Sequence, residues 1–186
     1  MASETRNPFI SVQYLRDNSI INDNVDAKVL LPIIRMAESK YIQQVIGTTL
    51  YNKLVTDANS GTISGNYQIL LEDYVIPTLV QYSVYEAVPF LNYKVRNKSI
   101  SKQQSDDSTA ADLSELSYLR DNILNTAEFY SEQLIQYLRT SGLFPEYTTW
   151  TNGGIAPQVG GYFNGYHIPN KGAKRCFGDK GGEINL

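Results

Sequence analysis

Glycine is spread very unevenly along this chain, and that limits what the chain can fold into. Of 13 glycines, Gly47, Gly61 and Gly65 are the three that precede residue 142; the other ten fall from Gly142 to Gly182. Glycine loses more backbone freedom on ordering than any other residue, so regular helices avoid it. Before Gly142, Leu, Ile, Val and Tyr recur at helical intervals. After it come Gly, Asn, Pro and aromatic residues with no helical period. The pattern predicts an all-α helical bundle of four to five helices, with a long polar loop before the last helix and an extended Gly/aromatic-rich C-terminal arm. Residues 1–24 read as an N-terminal segment packing on the body, 25–142 as the helical body and 143–186 as the arm. No internal repeat or low-complexity tract interrupts this division.

Residues 7–21, with Phe9, Ile10, Val12, Tyr14 and Leu15, predict a short strand or helical turn. A first long helix is expected over 25–46, capped by Asn24 or Asp23. Val29, Ile33, Met36 or Ala37, Tyr41 and Val45 form its apolar stripe. Pro32 should kink it or mark its first turn, and Gly47 should end it as a left-handed cap. Thr48 or Thr49 caps a second helix over 50–57, with Leu50, Leu54 and Val55 inward. After turns at Ser60-Gly61 and Ser64-Gly65, a third helix over 66–93 is bent or broken near Pro77 and Pro89. Asp112 and Glu115 make a capping box for the fourth. Its stripe, Leu113, Leu116, Leu119, Ile123, Ala127, Tyr130, Leu134 and Leu138, spans about 40 Å. The polar loop 95–111 before it is long for a compact domain, where such loops are functional or disordered.

Composition narrows the function. A chain of 186 residues supports one ordinary domain with a real core. Sixteen Lys and Arg against 19 Asp and Glu give a net charge of -3, without the concentrated basic face of a nucleic-acid binder. One Cys, Cys176, rules out an internal disulfide framework, and one His, His167, removes most His-based metal sites. Residues 1–7 lead into no apolar signal region, and the apolar run Val29 to Ile34 is far short of a membrane span. The chain reads as a soluble protein made in a reducing compartment.

Catalytic templates find no match. There is no GxxxxGK[ST], GxGxxG, HExxH or ExxH, so no phosphate cradle or helical metal site is signalled. Asp106-Asp107 reads as a solvated loop, and Glu72-Asp73 and Glu128 with Glu132 as solvent-facing helix charges. Lys174 and Arg175 would lower the Cys176 thiol pKa, yet no fixed base accompanies it, and it reads as inert. His167 reads as a packing or hydrogen-bonding residue. The sequon Asn97-Lys98-Ser99 carries nothing without a secretory route. The expectation is a non-enzymatic protein with no cofactor and no metal.

Three features favour assembly instead. Fourteen Tyr, against one Trp and six Phe, suit surfaces that are wet in a monomer and covered in a complex. The arm of ~40 residues could reach about 140 Å, and its aromatic residues are too many for a solvating tail. Docking on a partner, by strand addition or by aromatics wedged into grooves, accounts for them. The charged loop 95–111 could fold when a neighbour covers it.

The segment Leu31-Pro32-Ile33-Ile34-Arg35-Met36-Ala37-Glu38-Ser39-Lys40-Tyr41-Ile42, followed by Ile46-Gly47-Thr48-Thr49-Leu50-Tyr51-Asn52-Lys53-Leu54, resembles a bacteriophage signature. The family is that of the helical head-to-tail connector (adaptor, or ring) proteins of tailed phages, as in crAss-like and other Bacteroidetes phages. Leu70-Leu71, Ile76-Pro77, Val95 to Ile100, and Ala127 to Leu138 continue the likeness, which covers about residues 25–140. The family often has Gly where this chain has Ser99, which implies a different local turn. The tail beyond Pro145 lies outside the match.

The resemblance implies a ring, of twelve subunits, below the portal protein at the capsid vertex. Such a ring prolongs the DNA channel without specific DNA binding and presents a platform for the next ring or tail protein. It implies a virion location at the neck, synthesis in the host cytoplasm and no contact with membrane. A head-to-tail interface closes into a ring when its rotation allows. In this reading Arg96, Asn97, Lys98, Ile100 and Lys102 meet a neighbouring subunit or the lumen. Trp150, Tyr162, Phe163 and Tyr166 of the arm dock on the portal or an adjacent subunit. Two other readings stay open: a helical regulatory or chaperone-like phage protein absent from the particle, and a small enzyme using His167 or Cys176.

Overall fold

A computed structural model of the chain describes residues 7–96, 99–102, 113–148 and 154–157. These form an all-α helical bundle carrying one short β hairpin. The first helix, α1 (Val12–Asp17), starts at Ser11, whose hydroxyl accepts the Tyr14 N–H at 3.0 Å. Of the strand or helical turn expected over residues 7–21, the structure has the helix, with Ile10 and Leu15 buried.

The second element is one continuous helix in three parts: α2 (Ala27–Ala37), a π-turn (Glu38–Ile42) and α3 (Gln43–Ile46). Its cap is Asp26, not Asn24 or Asp23, with a carboxylate accepting the Lys28 N–H at 2.9 Å. Asn22 holds Asn24 and Val25 in a turn, through its side chain and its carbonyl respectively, so Asp26 is the first side chain free to cap. The helix runs through Pro32. Leu30, Ile33, Ile34, Ala37, Ile42, Val45 and Ile46 face the core. Of the expected stripe, Ile33, Ala37 and Val45 are buried and Tyr41 half-buried, whereas Val29 and Met36 stay at the surface. A π-turn inserts one extra residue into the helical register, and this one carries the apolar face from Ala37 round to Ile42.

Gly47 adopts φ 80° and ψ 157°, a positive-φ turn but not the left-handed helical cap expected. It is the cap residue of α4 (Thr48–Ser60), which starts two residues before the expected Leu50. Neither Thr48 nor Thr49 acts as the cap. The backbone N–H of Thr48, an orphan donor at a helix start, bonds the Ile155 carbonyl at 3.0 Å, and the Thr48 hydroxyl accepts the Ile155 N–H at 2.9 Å. Leu50, Tyr51 and Leu54 are buried in α4, and Val55 is half-buried.

The third helical run comprises α5 (Asn66–Ile69), a second π-turn (Leu70–Val75) and α6 (Ile76–Asn92). It continues through Pro77 and Pro89 rather than breaking. The irregularity sits just before Pro77, where the ring removes one helical donor, and it turns Leu70, Leu71 and Val75 together into the core. Helix α6 is the centre of the bundle, packed against α2, both π-turns and α7. Leu79, Val80, Tyr82, Val84, Ala87 and Val88 are buried on several of its sides, the pattern of a core helix.

Part of the expected polar loop is folded. Strands β1 (Tyr93–Arg96) and β2 (Ser99–Lys102) pair antiparallel, with Arg96 opposite Ser99, Val95 opposite Ile100 and Tyr93 opposite Lys102. Residues 103–111, Asp106 and Asp107 included, lie outside the described residues, as does the capping residue Asp112. Helix α7 (Leu113–Ser141) has 29 residues, about 43 Å at 1.5 Å each. Ile123, Ala127, Leu134 and Leu138 are buried as expected, whereas Leu119 is exposed.

The chain does not become extended at residue 143. A single turn, α8 (Pro145–Thr148), brings Phe144 and Tyr147 into the core. The Phe144 ring packs edge-on against Tyr67 at 5.3 Å and beside Tyr137 at 5.8 Å, and the Tyr67 hydroxyl donates to Glu146 at 2.7 Å. The helical body therefore includes the first residues after Gly142.

Candidate functional site

Three of the residues that sequence reasoning singled out fall within the described structure. Arg96, Ile100 and Lys102 sit on the hairpin. Asn97 and Lys98, which join its strands, lie outside the described residues, as do Trp150, Tyr162, Phe163, Tyr166, His167 and Cys176. The hairpin projects from the end of α6, and among the described residues each strand has one partner and one unpaired edge.

A different set is brought together. The first π-turn, α3, α6 and α7 enclose a groove of 660 Å³. Tyr41, Tyr82 and Tyr85 supply aromatic surface, Val45, Leu124 and Ile135 aliphatic surface, and Asp121, Glu128 and Glu132 line α7's side. Tyr41 and Tyr82 stack with centroids 3.9 Å apart and planes within 5°. The Arg120 guanidinium lies 4.3 Å over the Tyr85 ring, a favourable placement against the negative face of the π system.

Beside the groove, Glu86 on α6 is a buried carboxylate inside an otherwise apolar stretch. Lys40 bonds it at 2.5 Å, and the Tyr41 hydroxyl donates to the same oxygen. Burial pushes the Glu86 carboxyl up, but the bonds from Lys40 and Tyr41, with the charges of Lys40 and Arg120, outweigh it and hold the group below its ordinary 4.5. The bonds to Glu86 and Tyr41 hold the Lys40 ammonium well above its ordinary value. Burial, then the bond to Glu86, pushes the Tyr41 hydroxyl up to about 12. The π-turn makes this possible by presenting the consecutive residues Lys40 and Tyr41 to one acceptor on α6.

The acids of α7 are in the opposite condition. Glu132 is exposed as expected, but Glu128 is half-buried in the groove wall. Burial, then the charge of Glu132 one turn on, raises the Glu128 carboxyl above its ordinary value. Neither acid forms an ion pair or hydrogen bond among the described residues. Among those residues no cluster of three His, Cys, Asp or Glu could hold a metal ion, and no helix is long and apolar enough to cross a membrane.

A second buried acid supports the groove from behind. Glu38, which opens the π-turn, is 1% exposed and accepts the Tyr51 hydroxyl at 2.6 Å and the Phe9 N–H at 3.1 Å. It ties α1's approach and α4 to the turn that carries Lys40 and Tyr41.

Residues 42–155, more than half of the chain, match DUF6712, a family of unknown function. The chain belongs to this family. The DUF6712 match begins inside the first π-turn and ends at Ile155, the residue whose backbone pairs with Thr48. The matched range takes in α3 to α8. No curated protein and no solved structure matches the sequence.

Sequence reasoning missed the groove because its walls come from elements far apart in the chain, and Tyr41 reaches it on a π-turn whose extra residue leaves no mark in the helical period. One signal was present. Glu86 stands among Val84, Tyr85, Ala87 and Val88, and a carboxylate in an apolar helix demands a partner.

Proposed function

We propose that this DUF6712 protein is a non-enzymatic structural protein of a tailed-phage particle, the head-to-tail adaptor that forms a ring below the portal. The observation that carries the reading is the outward face of α7. Tyr118 is 73% and Phe129 54% exposed. They lie eleven residues apart, close to three helical turns, on the side opposite buried Ile123, Ala127, Leu134 and Leu138. A long helix with one apolar stripe in the core and large aromatic residues on the other side is suited to a second layer of packing.

Two further features support it. A two-stranded hairpin is marginal alone in water, and its unpaired edges offer backbone donors and acceptors to another strand. Arg96, Ile100 and Lys102 on it, with Asn97 and Lys98, are assigned to the neighbouring subunit or the channel lumen. The likeness of residues 25–140 to phage connectors supplies the biological setting: copies of itself, the portal and the next tail component as partners, with DNA passing through unbound.

The test is mass spectrometry of purified virions together with a pull-down on portal protein. The adaptor should be present at ring stoichiometry, and a chain ending at Pro157 should fold yet fail to join the portal. A particle lacking the protein, or a truncated chain that binds portal at normal stoichiometry, would overturn the adaptor reading or the arm's part in it, respectively.

A further inference from the structure

The groove between the first π-turn and α7 has acids without partners and aromatic walls, and the chain's last described residues pack on Gly47, just beyond α3. Pro157 presses on Gly47 so closely that a Cβ there would lie 2.8 Å from the proline Cδ. Gly47 is three residues beyond Gln44, which lines the groove. Residues 158–161, four residues with two glycines, span up to about 14 Å. The segment that follows, Tyr162 to Phe177, holds Tyr162, Phe163 and Tyr166, then Lys171, Lys174 and Arg175, and no Asp or Glu.

We propose that the groove seats the chain's own C-terminal segment, residues 162–177, its aromatic residues against Tyr41 and Tyr85 and its cations against Asp121, Glu128 and Glu132. Charge and distance together select this occupant. The segment is purely cationic where the α7 wall is acidic, and the Thr48–Ile155 hydrogen bonds hold its point of departure at Gly47, three residues along the chain from groove-lining Gln44. A volume of 660 Å³ takes several side chains. The like-charged pair of half-buried Glu128 and exposed Glu132 is unfavourable as it stands, and a cation laid between them relieves it. The inference concerns the free chain and does not rest on the adaptor reading; in a ring, the same segment would leave its own groove for a partner.

Cys176, the single cysteine, lies within the segment and reports on it. In the full native chain its labelling by a thiol reagent should be at least about tenfold slower than in the same chain unfolded in urea. Glu128→Lys with Glu132→Lys should bring the rate to within about twofold of the unfolded value, as should Lys174→Glu with Arg175→Glu. Combining the four should restore slow labelling, each variant being normalised to its own unfolded rate. Should the lysine pair fail to fold by circular dichroism, Glu128→Gln with Glu132→Gln should release the thiol partially. Fast labelling of the native wild type would overturn the proposal, and so would slow labelling indifferent to Glu128 and Glu132. Slow labelling only at high protein concentration would assign the groove to a second copy and overturn it equally.

Discussion

Gly47 joins two constraints at one residue. Its φ of 80° is a conformation that side-chain-bearing residues rarely adopt, and Pro157 occupies the place where a Cβ would go. Gly47→Ala should therefore cost about 1–3 kcal/mol, seen as a fall in melting temperature of about 2–4 °C per kcal/mol. Hydrogen exchange at the Thr48 and Ile155 amides should accelerate in the same variant. The two carboxylates near the groove have opposite pH signatures. Glu86 is depressed below its ordinary 4.5, so its stabilisation is complete above that value and lost as pH falls through the folded pKa. Glu86→Gln should destabilise at pH 7 by about 1–3 kcal/mol, a deficit that shrinks in acid. Glu128 is raised, so its ionised form opposes folding at neutral pH. In a chain ending at Pro157, Glu128→Gln should raise stability at pH 7 and change it little at pH 4; urea melts at both values check both statements.

At the scale of elements, the four main helical runs were legible because each keeps an apolar period long enough to outweigh local exceptions. The stripe on α7 from Ile123 to Leu138 is the clearest case. Boundaries and faces were less legible. Asp26 caps where Asn24 or Asp23 was expected because Asn22 already holds the preceding turn. Thr48 starts α4 because a carbonyl 107 residues away satisfies its donor, which no local pattern could announce. The π-turns are the deepest departure. Each adds a residue, and the first carries the buried face from Ala37 to Ile42, five positions on, where an α-helical period would put it at the fourth. Deleting Ser39 would restore a plain α-helical register and swing Lys40 and Tyr41 by about 100° about the helix axis relative to the preceding turns. The expected outcome is loss of the Lys40–Glu86 bond and destabilisation greater than that of Glu86→Gln alone, because Ile42, Val45 and Ile46 would leave the core as well. Thermal melts of the two variants side by side decide this.

For the whole molecule, the question is which surfaces the fold has finished and which it has not. Tyr is used in both ways. Tyr74 stacks on Tyr137 at 4.2 Å and Tyr41 on Tyr82 at 3.9 Å, inside the body, while Tyr118 stands out from it. Phe144 and Tyr147, expected to belong to an arm reaching for partners, are instead part of the core. Among the described residues, the outward face of α7 and the edges of the hairpin are two surfaces that the fold leaves uncovered. Substituting Tyr118→Ser and Phe129→Ser together removes the two large aromatic residues of that face. Because neither is buried, the change in folding stability should stay within about 0.5 kcal/mol. If the face is an interface, the same change should cost far more in association, since aromatic side chains carry much of the energy at protein contacts. A drop of at least about tenfold in the amount of chain recovered on portal or in rings, with an unaltered melting curve, is the expected pattern. Equal recovery of the variant would show that α7's outer aromatic residues are merely exposed. Under the proposed adaptor function the ring interface would then lie on another surface, such as the hairpin edges that the described residues leave unpaired.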